Sequence, residues 1–189
     1  MVKTFYVFGE IILQLRLTKK FAADIKADQL CEPVITSNPL DDWFIDVIRV
    51  ARKKIAMITH AKSTYTFFIP YELAGSAKAM PEALIVQLRY LLHRHDVINY
   101  SDDIDELMAS KIRFCKTVDR KILGHMNDYK RCSDYVLECE GIYAAEAIIA
   151  DISICINSTH TCPIEKLGEL LGCPDKLMSS HKRRNLHKC

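Results

Sequence analysis

Between Trp43 and Tyr71 three β-rich segments follow one another directly: Trp43 to Val50, Ile55 to Ala61 and Tyr65 to Tyr71, each dense in Val, Ile, Tyr, Phe or Thr. The links between them, Ala51-Arg52-Lys53-Lys54 and Lys62-Ser63-Thr64, hold four and three residues. A parallel pair needs a crossover of roughly a dozen residues, so links this short force hairpins and an antiparallel meander. The rest of the chain must cover that meander.

On either side the hydrophobic period changes. Ile11 to Leu17 alternates, with Leu13, Leu15 and Leu17 on one face and Gln14 and Arg16 on the other, and reads as a strand. Thr18 is placed to cap a helix from Lys19 to about Lys26, on which Phe21, Ala22 and Ile25 share a face, and Pro33 to Pro39 is a polar connection. Pro81 suits the first turn of a helix whose Leu84, Leu88, Leu91 and Leu92 repeat at helical spacing as far as His95. Ser101 starts a short helix over Asp102 to Ala109, and Lys111 to Thr117 has strand character with Ile112, Phe114 and Val118 facing inward. A helical pattern starts at Asn127, bends or breaks at Gly141 and resumes with Ile142, Ala145, Ile149 and Ile152. Pro163 opens a last helix that Gly172 and Pro174 end.

Strands and helices therefore come in blocks, which favours α+β over a doubly wound fold. The expected architecture is an antiparallel sheet, built from the N-terminal strand, the three-strand meander and one later strand, covered by helices and followed by a helical C-terminal half. One domain is expected over residues 1–175. A basic, disordered tail is expected over 176–189, which holds Lys176, Lys182, Arg183, Arg184 and Lys188 and no acid.

At 189 residues the chain can bury a substantial core without a disulfide or metal staple. The net charge of +2 excludes a bulk polycation of the histone kind. The eight cysteines are irregularly spaced, and Met1 to Leu17 is broken by Gly9, Glu10, Gln14 and Arg16 with no cleavage site for a secretion signal. The richest apolar run, Ile142 to Ile156, carries Glu146 and Asp151, so no membrane span is expected. The expectation is a cytoplasmic protein with free thiols.

Several short signatures, in order, give the chain a family likeness: Arg16-Leu17-Thr18-Lys19-Lys20, Asp42-Trp43, Arg52-Lys53 before a strand, and Arg120 followed by Gly124-His125-Met126-Asn127-Asp128, with a weaker echo from Asn157 to Leu171. By these the sequence resembles domain-of-unknown-function family 6933, a family of small uncharacterised bacterial and phage-borne domains. The likeness runs from about Leu13 to Leu171. The family pattern has Ser before Met-Asn-Asp and Asn before the Arg, where this chain has His125 and Asp119. The resemblance implies an α+β domain and supplies no mechanism.

The densest polar cluster is Asp119-Arg120-Lys121 with Gly124-His125-Met126-Asn127-Asp128, read as a loop between a strand and a helix. Such a loop can hold an anion with an Arg fork and backbone amides. Capping by Asn127 or Asp128 explains those two residues but leaves Arg120 and His125 unaccounted for. Thr18 and Lys19, at a strand end, form a second place where a phosphate could bind, although no glycine-rich loop accompanies them and a plain N-cap explains Thr18. The candidate ligand-binding residues are thus Arg120, His125, Asn127, Asp128, Thr18 and Lys19, with Arg120 pairing either an acid such as Asp128 or an anionic ligand.

Cys155, His160, Cys162 and Cys173 carry zinc donors, but no Cys-x-x-Cys exists and free cysteines are the simpler reading, so neither metal nor cofactor is expected. No Gly-x-Ser-x-Gly is present, and Asp41-Asp42 and Asp102-Asp103-Asp105-Glu106 match no metal-dependent hydrolase pattern. No catalytic set is complete. The functional expectation is a non-enzymatic binding domain for a protein or nucleic-acid partner, in a defence or mobile-element system, with self-association left open. The alternative is a small enzyme or nucleotide-binding protein using Arg120, Asn127 and Asp128.

Overall fold

A computed structural model describes residues 12–27, 29–35, 38–97, 104–105, 110–152, 154–156, 159–179 and 182, and of 154–156, 159 and 160 the backbone alone. Its main sheet has five strands: β1 (Ile12–Leu17), β2 (Asp42–Val50), β3 (Lys53–His60), β4 (Thr66–Pro70) and β5 (Lys111–Lys116). The meander is present as the spacing requires, with β2, β3 and β4 antiparallel in turn. Strand β2 reaches β3 through the two-residue turn Ala51–Arg52, where Ala51 takes φ +43°.

The purely antiparallel expectation is wrong. The order is β4-β3-β2-β1-β5, and β1 runs parallel to both β2 and β5, so the sheet is mixed while the α+β class holds. The cause lies in the connections. Residues 18–41 are long enough for a crossover containing helix α1 (Lys19–Asp24), so β2 enters alongside β1 in the same direction. Helices α2 (Tyr71–Ala74) and α3 (Ala79–Arg94) then lead the chain from β4 across the sheet to the far side of β1.

Both faces are covered. On one, Leu13, Leu15, Trp43, Ile45, Ile58 and Phe67 pack with Phe21 of α1, Leu84 and Leu88 of α3, and Leu167 of the last helix. On the other, Phe44, Met57 and Phe68 pack under α4 (Arg120–Cys139) and α5 (Ile142–Asp151). Gly141, at φ +89°, breaks what would otherwise be one long helix, since few other residues reach that conformation without strain. A two-stranded ribbon, β6 (Ile154–Ile156) with β7 (Thr159–Thr161), leads to α6 (Pro163–Leu170), with Pro163 in its first turn.

Beyond α6, Leu177 is fully buried in the core. Lys176 pairs with Asp96 at 3.4 Å and Lys182 with Glu165 at 3.1 Å, so these two lysines of the basic segment are tied to the body of the fold. Val118 and Ile112, expected to face inward, are largely exposed, because β5 is an edge strand and its sequel leads out to α4. The helix expected over Asp102 to Ala109 lies mostly outside the described residues, of which 104–105 are helical.

One connection takes an unusual course. After α1 the chain passes beyond the outer edge of β5, where the Cys31 amide donates to Phe114 O at 2.9 Å and the Lys116 amide donates to Cys31 O at 3.0 Å. It then returns across the second face, where the Gln14 side chain accepts the Val34 amide at 2.7 Å. Strand β5 thus lies between β1 and the segment around Cys31.

Candidate functional site

The segment from Asp119 to Asp128 is not a loop. Asp119 is an N-cap whose Oδ1 accepts the amides of Lys121 at 2.8 Å and Ile122 at 3.2 Å, and helix α4 is already under way at Arg120. The cap forms because a β-region Asp before the first turn satisfies amides that the helix itself cannot. Gly124 sits inside the helix, and Asn127 and Asp128 are exposed on it. Arg120 is exposed and forms no ion pair with Asp128, which instead lies 3.8 Å from Arg131. Of the two partners weighed for Arg120, an acid such as Asp128 or an anionic ligand, Asp128 does not engage it.

Helical spacing instead aligns Lys121, His125 and Tyr129 on one face. The His125 ring stacks on that of Tyr129, with centroids 6.4 Å apart and planes 25° apart. The Tyr129 hydroxyl meets Thr64 Oγ1 at 3.1 Å, which carries the face of α4 to the β3–β4 turn. That turn is held from beneath by His60. The His60 Nδ1 accepts the Ser63 amide at 3.2 Å and meets Ser63 Oγ at 2.8 Å, which leaves the proton on Nε2 to donate to Pro39 O at 2.6 Å. Burial lowers the His60 pKa to about 4, so the ring works as a neutral strut. Thr64 occupies the left-handed region at φ +58°, an outlier for a β-branched residue. The local bonds and the tyrosine contact hold it there.

Between this turn, the start of α4 and α6 lies a cleft of about 370 Å³. Lys62 reaches it from the turn, Lys121 and His125 from α4, and Lys166 from α6. Lys166 also pairs with Glu169 at 2.6 Å. Among the described residues Asp119 is the one carboxylate of the lining, and its Oδ1 is engaged by the cap. Burial, followed by the nearby Lys121, lowers the His125 pKa, and its enclosed Nε2 meets no hydrogen-bond partner among the described residues. Of the six candidate residues read from the sequence, only His125 lines this cleft. Lys62, Lys121 and Lys166 were missed; reading Asp119 as the N-cap would have aligned Lys121 with His125.

Thr18 and Lys19 lie elsewhere. Thr18 caps α1 by accepting the Phe21 amide at 3.2 Å and donates to Asp46 at 2.6 Å. Asp46 in turn pairs with Lys130 of α4, so Thr18 locks a helix to the sheet. Arg16 forks onto Asp42 at 2.8 and 2.5 Å and lies 5.0 Å over the Phe44 ring. Trp43 is fully buried, donates to Leu40 O at 2.6 Å and packs against His60 and Phe67. The Arg16-to-Lys20 and Asp42-Trp43 signatures thus serve the framework. Lys19 is exposed and takes no part in it.

A second cavity, of about 200 Å³, is lined by Tyr65, Arg94, His95, Glu146 and Asp151 among others. The Glu146 carboxylate, on α5, accepts the Phe68 amide at 2.8 Å on the outer edge of β4. Burial pushes its pKa up to about 7, and burial also raises that of Tyr65. Among the described residues no group of three His, Cys, Asp or Glu side chains could hold a metal ion, and no helix is long and apolar enough to cross a membrane. The side chains of Cys155 and His160 lie outside the described set.

Fold and site together define a mixed-sheet α+β domain with a lysine-lined cleft beside a propped turn. The chain matches the family described as Domain of unknown function (DUF6933) over residues 14–176, and it belongs to that family. No curated protein matches it.

Proposed function

We propose that this chain is a non-enzymatic binding domain that holds a phosphate group of a nucleic-acid partner in the cleft between the β3–β4 turn, α4 and α6. The observation that carries the reading is the convergence of Lys62, Lys121 and Lys166, from three separate elements, on a cleft that His125 also lines. Lysine supplies a mobile point charge with three donors, which suits the spread oxygens of a phosphate. Among the described residues the lining sets these three lysines against one carboxylate, that of Asp119, whose Oδ1 is engaged by the cap, so the cleft suits an anion. The acid-free basic segment from Lys176 adds sequence-independent attraction to a polyanion. The cytoplasmic setting and the defence or mobile-element context belong to the same proposal.

The enzymatic alternative through Arg120, Asn127 and Asp128 has less behind it, because all three are exposed along α4 and none lines the cleft. The test is fluorescence anisotropy with a 5′-phosphorylated single-stranded oligonucleotide, its unphosphorylated twin and pyrophosphate. Lys62→Glu and Lys166→Glu are each expected to weaken binding of the oligonucleotide by roughly tenfold or more and to flatten its salt dependence. A greater loss for the phosphorylated strand assigns the cleft to a strand end, and an equal loss assigns it to the backbone. Binding that is unchanged in both variants, or absent in the wild type, overturns the reading.

A further inference from the structure

We propose that Cys31 is a site of oxidative modification whose product is a disulfide with Cys115, clasping the β1–β2 connection onto β5. The geometry comes from the backbone. Cys31 bonds to Phe114 O and to the Lys116 amide, which sets it directly opposite Cys115 in a parallel bridge. Residues paired in this way point to the same face of the sheet, on strands about 4.8 Å apart. That spacing falls inside the window of roughly 4.4–6.8 Å between Cα atoms that a disulfide accepts. The two thiols differ in access, since Cys31 is exposed and Cys115 is fully buried. The Cys115 sulfur lies 3.5 Å from Gln14 Oε1 and 3.9 Å from Glu32 O, the carbonyl of the residue that follows Cys31. Burial raises the Cys115 pKa, so the thiol that meets an oxidant first is Cys31.

With hydrogen peroxide as the oxidant, the Cys31 thiolate attacks one peroxide oxygen. An S–O bond forms, the O–O bond breaks, and hydroxide leaves and is protonated by solvent. The sulfur, now two electrons more oxidised, is a sulfenic acid. Cys115 then gives up its proton and attacks the Cys31 sulfur; the S–S bond forms, the S–O bond breaks, and water departs with that proton. The raised pKa slows the second step, and the fixed pairing of the two residues compensates. Cys132 and Cys139 are exposed on α4 and serve as internal controls, because seven residues of helix hold them too far apart to join.

The experiment treats the reduced full-length chain with a small excess of hydrogen peroxide, blocks free thiols and maps peptides by mass spectrometry without reduction. The Cys31–Cys115 link is expected to exceed every other pairing by roughly tenfold, as two thiols held on adjacent strands require. The melting temperature should rise with the link and return on reduction. In Cys115→Ser, dimedone should trap Cys31 as the sulfenic acid. The wild-type map decides the matter even if a variant folds poorly. Cys31 recovered unlinked as sulfenic or sulfinic acid, or Cys115 joined mainly to another cysteine, overturns the proposal.

Discussion

Replacing Glu146 by Gln should change how the stability of this protein depends on pH. The side chain is 8% exposed, with one oxygen on the Phe68 amide, and burial lifts its pKa from 4.5 to about 7. Between those values the native state keeps a proton that the unfolded chain has released. Stability contributed by the neutral acid is therefore full below the unfolded pKa and is lost as pH rises through the folded one. The shift corresponds to a loss of about 3 kcal/mol, complete above neutrality.

His60 acts in the opposite sense. Its pKa falls from 6.5 to about 4, so the unfolded chain binds the proton first and stability drops as the solution is acidified through that window. The two effects offset each other in the mildly acidic range where they overlap, and near neutrality Glu146 alone remains. Glu146→Gln keeps an oxygen for the Phe68 amide and removes the titration, while the His60 contribution cancels between the two proteins. Urea unfolding of both at about pH 5 and about pH 8 should show the variant gaining about 2–3 kcal/mol on the wild type across that interval, the rest of the loss lying below pH 5. If the difference between them is the same at both values, the carboxyl titrates normally and the burial argument fails.

Trp43→Ala should cost about 3–5 kcal/mol, read as a lower urea midpoint, because it empties a fully buried site against His60 and Phe67. The native tryptophan emission should be blue-shifted, and a spectrum matching that of the unfolded chain would contradict the burial. Arg120→Ala should change stability by less than about 0.5 kcal/mol, since the side chain is exposed at the start of α4 and no ion pair is seen for it among the described residues. A fall of several degrees in melting temperature would show a structural role.

The meander was legible because its links are too short for any other pairing, and Gly141 and Pro163 marked helix ends through backbone chemistry that acts locally. The direction of β1 was not legible. Alternation at Leu13, Leu15 and Leu17 tells which face is buried and nothing about which strand lies alongside, and that depended on the course of residues 18–41. The start of α4 was misread because its first turn, Arg120 to Leu123, opens with two charged residues, and the apolar period becomes clear only further along. At the cleft, His125 stood out by its type, whereas Lys62 and Lys166 lie about a hundred residues apart and are brought together only by the topology.

The path of the chain around β5 bears on how the protein is made. Residues 12–17 and residue 31 are near neighbours in sequence, yet the slot between them is filled by Cys115 and its strand, which emerge from the ribosome much later. The hairpins of β2, β3 and β4 can form as soon as they are synthesised, but the amide and carbonyl of Cys31 have no strand to meet until β5 arrives. The first half of the chain is therefore an open frame during translation. Closing the sheet on β5 is a late event that joins both halves into one cooperative unit, and a fragment ending before Lys111 would lack the strand that its own N-terminus is shaped to receive.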